Sequence, residues 1–152
     1  MATFESYREI KAWQNARVLV RHVHGICKEL DARREWVLKD QLFRASLSIM
    51  NNIAEGFGRY SNPEFLRFLG IARGSGYETG SCLDLLEDIG VVDAQMVAAA
   101  QKMLDDTMAP LGGLMNYLRN NMDEEPGRKR TAKDKPKHKT PNTEHRTPND
   151  NV

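Results

Sequence analysis

The sequence has only two cysteines among its 152 residues, and they form no Cys-x-x-Cys pair. A disulfide framework is therefore excluded, and a reducing compartment is favoured. The first twenty residues contain no apolar run typical of a signal peptide. The longest uncharged stretch, Thr107–Leu118, has 12 residues, which is too short to span a bilayer. We therefore expect a cytoplasmic protein with no membrane partner.

Motifs for catalysis and for cofactor binding are also missing. Glu-x-x-His occurs nowhere, although di-iron sites in helical bundles need it on two helices. His22 and His24 are two residues apart, so they point to different sides of a helix. Gly74-Ser75-Gly76 follows a helical pattern and not a strand, so it is no hydrolase nucleophile elbow. No phosphate-binding or dinucleotide fingerprint is present. We therefore expect no enzyme, and no metal, cofactor or small-molecule substrate.

Apolar residues are scarce at the C-terminal end. Residues 123–152 contain no Leu, Ile, Met, Phe, Tyr, Trp or Cys. Such a segment cannot bury enough apolar surface to offset the entropy cost of ordering it. The sequence therefore predicts one folded domain over residues 1–122 and a disordered basic and polar tail over residues 123–152.

The net charge of +1 conceals an uneven distribution. Residues 1–122 hold 14 Lys or Arg and 15 Asp or Glu, whereas Arg128–Lys139 holds seven basic residues against Asp134 alone. The basic segment has the composition of a nucleic-acid contact arm, although it lacks aromatic residues for base stacking. A solvated tail that only aids solubility is the alternative interpretation. The candidate contact residues of the segment are Arg128, Lys129 and Arg130.

Apolar residues three or four positions apart predict four helices. The helices cover about 6–31, about 34–56, a third from the Ser61–Glu64 region to Gly90, and a fourth from near Asp93 to Leu118. No stretch alternates with period two, and the loops between the helices are short, which favours antiparallel neighbours. We therefore predict an all-α, antiparallel up-and-down four-helix bundle. Pro110 lies inside the fourth helix and is expected to kink it.

The third helix has a clear start and an unusual number of glycines. Ser61 and Glu64 have the spacing of a capping box, while Asn62 and Pro63 offer a second N-cap and first turn. Glycine in a helix interior costs about 1 kcal/mol relative to alanine. We interpret the glycines as smooth contact surfaces between helices or between subunits, and a broken third helix is the alternative. These glycines are Gly70, Gly74, Gly76 and Gly80.

Six charged residues of the second and third helices flank the apolar positions, and a charge in such a place must be paired or reach water. One interpretation is that arginine–carboxylate pairs between helices or between subunits fix the geometry of an assembly. The other is that the arginines line a pore or an RNA-binding face. The six residues are Arg44, Glu55, Arg59, Arg67, Arg73 and Glu78.

Residues 41–90 also carry motifs of a known family. The motifs include Arg44-Ala45, Asn52-Ile53-Ala54-Glu55-Gly56, Arg67-Phe68-Leu69 and Ala72-Arg73-Gly74-Ser75, and Trp13-Gln14 fits the first helix. In this order and spacing they resemble the bacterial 23S rRNA intervening-sequence protein family, over roughly residues 4–120. The resemblance implies an antiparallel four-helix bundle and a homopentameric ring.

The resemblance implies little about activity. Some members are encoded within intervening sequences of 23S rRNA genes, and related bundles of diversity-generating retroelements are basic and bind a reverse transcriptase and RNA. The present chain departs from those bundles, because residues 1–122 have a net charge of −1. Two hypotheses follow: a non-enzymatic homo-oligomeric adaptor associated with RNA or a ribonucleoprotein, or a structural protein-interaction ring with no nucleic-acid ligand. The sequence names neither the process nor the partner.

Overall fold

The computed structural model describes residues 4–122. A short 3-10 helix at Tyr7–Glu9 is followed by α1 (Lys11–Ala32), α2 (Trp36–Phe57), α3 (Asn62–Ile89) and α4 (Ala94–Asn120). Each long helix packs against two neighbours, in the cyclic order α1, α2, α3, α4. The connecting turns are short, so neighbouring helices run antiparallel. The prediction of an all-α, up-and-down four-helix bundle is confirmed.

The start of α1 differs from the sequence prediction. Ser6 caps the 3-10 turn by accepting a hydrogen bond from the Arg8 backbone N–H at 3.2 Å, and Ile10 is extended with φ −70° and ψ 117°. The predicted start near residue 6 was therefore wrong by one turn. The error arose because the side chain of Ile10 is buried although its backbone is extended. This apolar side chain continues the helical spacing of α1 in the sequence. The most completely buried residues of α1 are Ala12, Ala16, Leu19, Val23, Ile26 and Leu30.

The two ends of α3 follow the predicted signals. The Ser61 hydroxyl accepts a hydrogen bond from the Glu64 backbone N–H at 3.3 Å, so Ser61 is the N-cap, and Pro63 lies in the first turn. At the other end Gly90 adopts φ +64° and its N–H donates to the Leu86 carbonyl at 3.1 Å. The helix is continuous through its four glycines, so the alternative of a broken third helix is wrong.

The glycines fall into two groups according to what surrounds them. A Cβ at Gly56 would lie 2.7 Å from Phe68 Cβ, and a Cβ at Gly76 would overlap the Met108 side chain. Gly76, one of the four glycines interpreted as contact surfaces, brings α3 against α4, as contact between helices requires. Gly56, which was not among those four, brings α2 against α3. At Gly70 and Gly74 a Cβ would meet nothing within 4 Å. These last two glycines face away from the protomer's own helices.

A single apolar core fills the space between the helices. Ile49 of α2 and Leu83 of α3 are both fully buried, as the helical spacing predicts. The fourth helix contributes Leu111, which lies directly after Pro110, and α4 continues through that proline to Asn120. No helix between residues 4 and 122 combines the length and the apolarity needed to cross a membrane.

Candidate functional site

The six charged residues proposed from the sequence all lie on the outer surface of α2, of α3 and of the turn between them. None of them is buried in the core. The turn itself contains Tyr60 with φ +56°, a left-handed conformation that is strained for a bulky residue. This conformation reverses the chain within a few residues. It brings Arg59, which follows α2, close to the first two turns of α3.

Arg59 and Arg67 meet at one aromatic ring. The guanidinium carbons lie 4.9 Å and 4.4 Å from the centroid of Phe68, whose side chain is otherwise buried. Both guanidinium groups therefore make cation–π contacts with the same ring, each worth about 0.5–1 kcal/mol at an exposed site. Arg59 also pairs with Glu55, and Arg67 pairs with Glu64 at 3.3 Å.

The two ion pairs are local. Glu55 and Arg59 are four residues apart, and Glu64 and Arg67 are three apart, so neither pair joins two long helices. Half-exposed pairs of this kind contribute about 0.3–0.5 kcal/mol each. They satisfy the two arginines without fixing how α2 and α3 pack. The expected arginine–carboxylate pairs between helices do not form among these residues.

Arg44, Arg73 and Glu78 are exposed and form no ion pair within residues 4–122. Their charges are available to a partner outside the protomer. The other three candidates, Arg128, Lys129 and Arg130, lie outside the described residues. The structure therefore divides the proposed set into two partnered arginines at Phe68 and two unpaired arginines.

A polar network lies between α2 and α3, beneath this surface. Asn52 Nδ2 donates to the Ser48 carbonyl at 2.8 Å and to Ser48 Oγ at 3.0 Å. Ser48 Oγ and Ser75 Oγ are 2.8 Å apart, and the Ser75 hydroxyl donates to the Ile71 carbonyl at 3.1 Å. The single Ser75 proton is used by Ile71, so Ser48 donates to Ser75. This network gives Ser48, Asn52 and Ser75 a structural role between α2 and α3.

A second charged surface, not proposed from the sequence, lies on α1 and the 3-10 turn. Arg8, Gln14, Arg17 and Arg21 line a cavity of about 290 Å³ together with Trp13 and Val18. The sequence marks this surface by its lack of acidic residues, because Ile10–Lys28 contains four Lys or Arg and no Asp or Glu. The apolar spacing of this helix predicts its buried side and carries no information about the charges on its exposed side. We call Arg8, Trp13, Gln14, Arg17 and Arg21 the α1 basic face.

Acidic residues are concentrated elsewhere. Residues 74–118 contain seven Asp or Glu and only one basic residue, Lys102. Several of these acids already have partners within the protomer. Gln101 donates to Asp84 at 3.3 Å and to Glu87 at 3.0 Å, and Lys102 pairs with Asp106 at 2.9 Å. The protomer is therefore polarised, with a basic α1 and an acidic α3–α4 region.

The thiols are not arranged for nucleophilic chemistry. Cys27 lies at a pocket of about 260 Å³ between α1 and α2, and burial raises the pKa of its thiol to about 11. Burial also raises the pKa of Cys82, which is half-buried. A raised pKa disfavours the nucleophilic thiolate. The surroundings of both thiols therefore favour the unreactive, protonated form.

The histidines follow the geometry expected from their spacing. A ring nitrogen of His22 lies 2.8 Å from the Met96 carbonyl of α4, whereas the His24 ring lies 6.3 Å from the Phe43 ring of α2. The two side chains therefore point to different neighbouring helices. Among residues 4–122 no three His, Cys, Asp or Glu side chains are grouped so that they could hold a metal ion.

The helix order, the short turns and the shared apolar core define a protein of the four-helix bundle class. A more specific assignment comes from a family model described as 23S rRNA-intervening sequence protein, which matches residues 8–113. The chain belongs to this family, as the motifs of α2 and α3 indicated. The description refers to an intervening sequence of 23S rRNA and names no reaction. A comparison with curated proteins found no match.

Proposed function

We propose that the protein is a non-enzymatic homo-oligomeric bundle that serves as an adaptor for RNA or for a ribonucleoprotein. The observation that carries the oligomer is a row of residues along the exposed side of α3, three or four positions apart. We call it the α3 outer stripe, and its members are Ile71, Gly74, Glu78, Ser81, Leu85 and Ile89.

The α3 outer stripe has the composition of a contact surface. Ile71, Leu85 and Ile89 are 43%, 48% and 45% exposed, and Gly74 has open space where a Cβ would be. A helix face with apolar residues towards both ends and the small residues Gly74 and Ser81 between them allows a second helix to approach closely. The occupant we propose is another copy of this chain. Five copies is the number that the family resemblance implies.

The RNA part of the proposal rests on charge. Arg44 and Arg73 are exposed and carry no ion pair within the described residues, so they can contact phosphates. The sequence of Arg128–Lys139 adds seven basic residues. Repetition around an oligomer would multiply these weak contacts, because linked sites bind with a high effective concentration.

A ring that binds only protein is the second candidate function. The observation that favours it is the net charge of −1 over residues 1–122. Three of the six candidate charges, Glu55, Arg59 and Arg67, are also already in ion pairs within the protomer. In this interpretation the arginines only order the surface next to Phe68.

Light scattering on the full chain tests the oligomer. We expect a mass that is a multiple of 17.3 kDa for the wild type and a smaller species for Leu85→Asp, because a buried unpaired charge opposes association. Val37→Asp is the matched control, since Val37 is 80% exposed on α2 and lies outside the stripe. A wild type that is monomeric at micromolar concentration contradicts the proposal.

A salt titration tests the RNA association. The binding of a labelled single-stranded RNA to the full chain should weaken steeply as salt rises, because phosphate contacts release counterions. Deleting residues 123–152 should weaken binding and flatten the salt dependence. If truncation has no effect, the tail is only a solubility segment and the RNA site is on the bundle. If the full chain binds no RNA at low salt, the adaptor function is wrong and the protein-interaction ring remains.

A further inference from the structure

The α1 basic face combines three features in one place. Its three arginines, Arg8, Arg17 and Arg21, are exposed and have no ion pair within residues 4–122. It includes an aromatic side chain, Trp13, and it is concave. Convergent cations around a hollow attract an anion more strongly than the same charges spread over a convex surface.

Aromatic rings hold two of these arginines in place. The guanidinium carbon of Arg8 lies 4.7 Å from the centroid of the Tyr7 ring, and that of Arg17 lies 5.9 Å from the Trp13 ring. The two rings pack edge to face, with centroids 5.0 Å apart. A planar guanidinium that stacks on a ring keeps its in-plane N–H donors for another partner. Arg8 and Arg17 are therefore oriented by cation–π contacts, and none of the three arginines is neutralised by a carboxylate within residues 4–122.

We infer that the α1 basic face binds single-stranded RNA, with Arg8, Arg17 and Arg21 contacting phosphates and Trp13 lying beside a base. The cavity volume of about 290 Å³ is close to the lower end of ligand pockets, about 300 Å³, so it suits one nucleotide rather than a large ligand. Arginines next to aromatic rings are a recurrent way of holding unpaired bases. This inference rests on the proposed RNA association and assigns a site to it.

An acidic surface of a second copy is the competing occupant. The acids of the α3–α4 region are the only concentrated negative charge in residues 4–122. Asp84 and Glu87 are bound by Gln101, and the Asp93 carboxylate accepts hydrogen bonds from the Gln95 and Met96 backbone N–H groups as the N-cap of α4. These three carboxylates are poorer acceptors for arginines of another copy. Glu78, Asp88 and Asp105 of the same region form no ion pair within residues 4–122, so partnering of the acids does not decide between the two occupants. We favour RNA because the α1 basic face is concave and includes Trp13.

Tryptophan fluorescence of the full chain tests the site. The protein has two tryptophans, and Trp36 is 56% exposed at the start of α2, so Trp36→Phe leaves Trp13 as the sole tryptophan emitter. Titration with a short oligouridylate at low salt should change the Trp13 emission. The titration should also give an affinity that falls as salt is added.

The key variant is Arg17→Ala with Arg21→Ala. Each lost phosphate contact on a single strand lowers the slope of log affinity against log salt by about 0.7, so we expect a decrease of about 1.4 and at least a tenfold weaker binding at low salt. The matched control is Arg33→Ala with Arg34→Gly, which removes the same charge at the far end of α1. Glycine suits Arg34 because its φ is +64°.

Three outcomes overturn the inference. If RNA binds but the Arg17/Arg21 variant loses no more affinity than the control, the site lies elsewhere and the proposed function stands. If light scattering shows that this variant has lost subunits while its circular dichroism is unchanged, α1 is a contact between copies. If the wild type binds no RNA, the inference and the adaptor function fail together.

Discussion

The side-chain amide of Asn15 donates a hydrogen bond to the backbone carbonyl of Asp106 at 2.6 Å. Asp106 lies four residues before Pro110, which has no N–H to offer that carbonyl. An acceptor that α4 leaves unsatisfied is therefore supplied with a donor by α1. This bond explains how α4 accommodates a proline in its interior and continues to Asn120.

We expect Asn15→Ala to lower the free energy of unfolding by about 0.5–1.5 kcal/mol, since one hydrogen bond is lost. In a Pro110→Ala background, Asn15→Ala should lower the free energy of unfolding by a smaller amount. The alanine restores a backbone N–H that donates to the Asp106 carbonyl within the helix. Urea denaturation of the four proteins in this double-mutant cycle gives the coupling. An equal loss of unfolding free energy in the two backgrounds would mean that Asn15 and Pro110 act independently.

The core prediction concerns Ile49 and Leu83, which are fully buried. Replacing either by alanine should lower the free energy of unfolding by about 2–5 kcal/mol, because it removes buried methyl groups and leaves a cavity. Val37→Ala serves as the control, since Val37 is 80% exposed and its change should stay within about 0.5 kcal/mol. Urea denaturation of the three variants measures these changes in the free energy of unfolding.

The two groups of glycines should respond oppositely to alanine. Gly56→Ala should destabilise the protein by about 1–3 kcal/mol, because the new Cβ would lie 2.7 Å from Phe68 Cβ. Gly74→Ala should stabilise the protomer by about 1 kcal/mol through helix propensity, since open space surrounds it. The second measurement is made in the Leu85→Asp background, so that subunit contacts do not enter. A stabilised Gly56→Ala would mean that α2 and α3 adjust freely.

The thiols provide a prediction about pH. Burial raises the pKa of Cys27 to about 11, so at pH 8 its thiolate fraction is very small. A Cys82→Ser variant, which keeps Cys27, should react with a disulfide reagent more slowly than Cys27→Ser. The rate at which Cys27 reacts in the Cys82→Ser variant should rise about tenfold per pH unit until the pKa is approached, because the thiolate is the reactive form. Equal rates for both variants in guanidinium are the control, and a fast reaction of folded Cys27 at pH 8 would contradict the assignment.

The sequence predicted the bundle well because its signals are local. The capping residue Ser61, the terminal Gly90 and the apolar spacing of α3 each act within a few residues, and all appear as expected. Side-chain partners were harder to predict. Glu55 and Arg59 pair along the chain, yet the shared contact of Arg59 and Arg67 with Phe68 depends on the left-handed turn at Tyr60, which no sequence pattern marks.

The network between Ser48 and Ser75 has a mechanical consequence for α2 and α3. Sliding one helix past the other by a single turn, about 5.4 Å, would separate the two hydroxyls and leave the Ser48 proton without its acceptor. The hydroxyl pair, together with the close approach of Gly56 to Phe68, therefore helps to set the axial register of α2 against α3. Arg44 and Arg73, on the outside of the same two helices, are consequently held at a constant lengthwise offset.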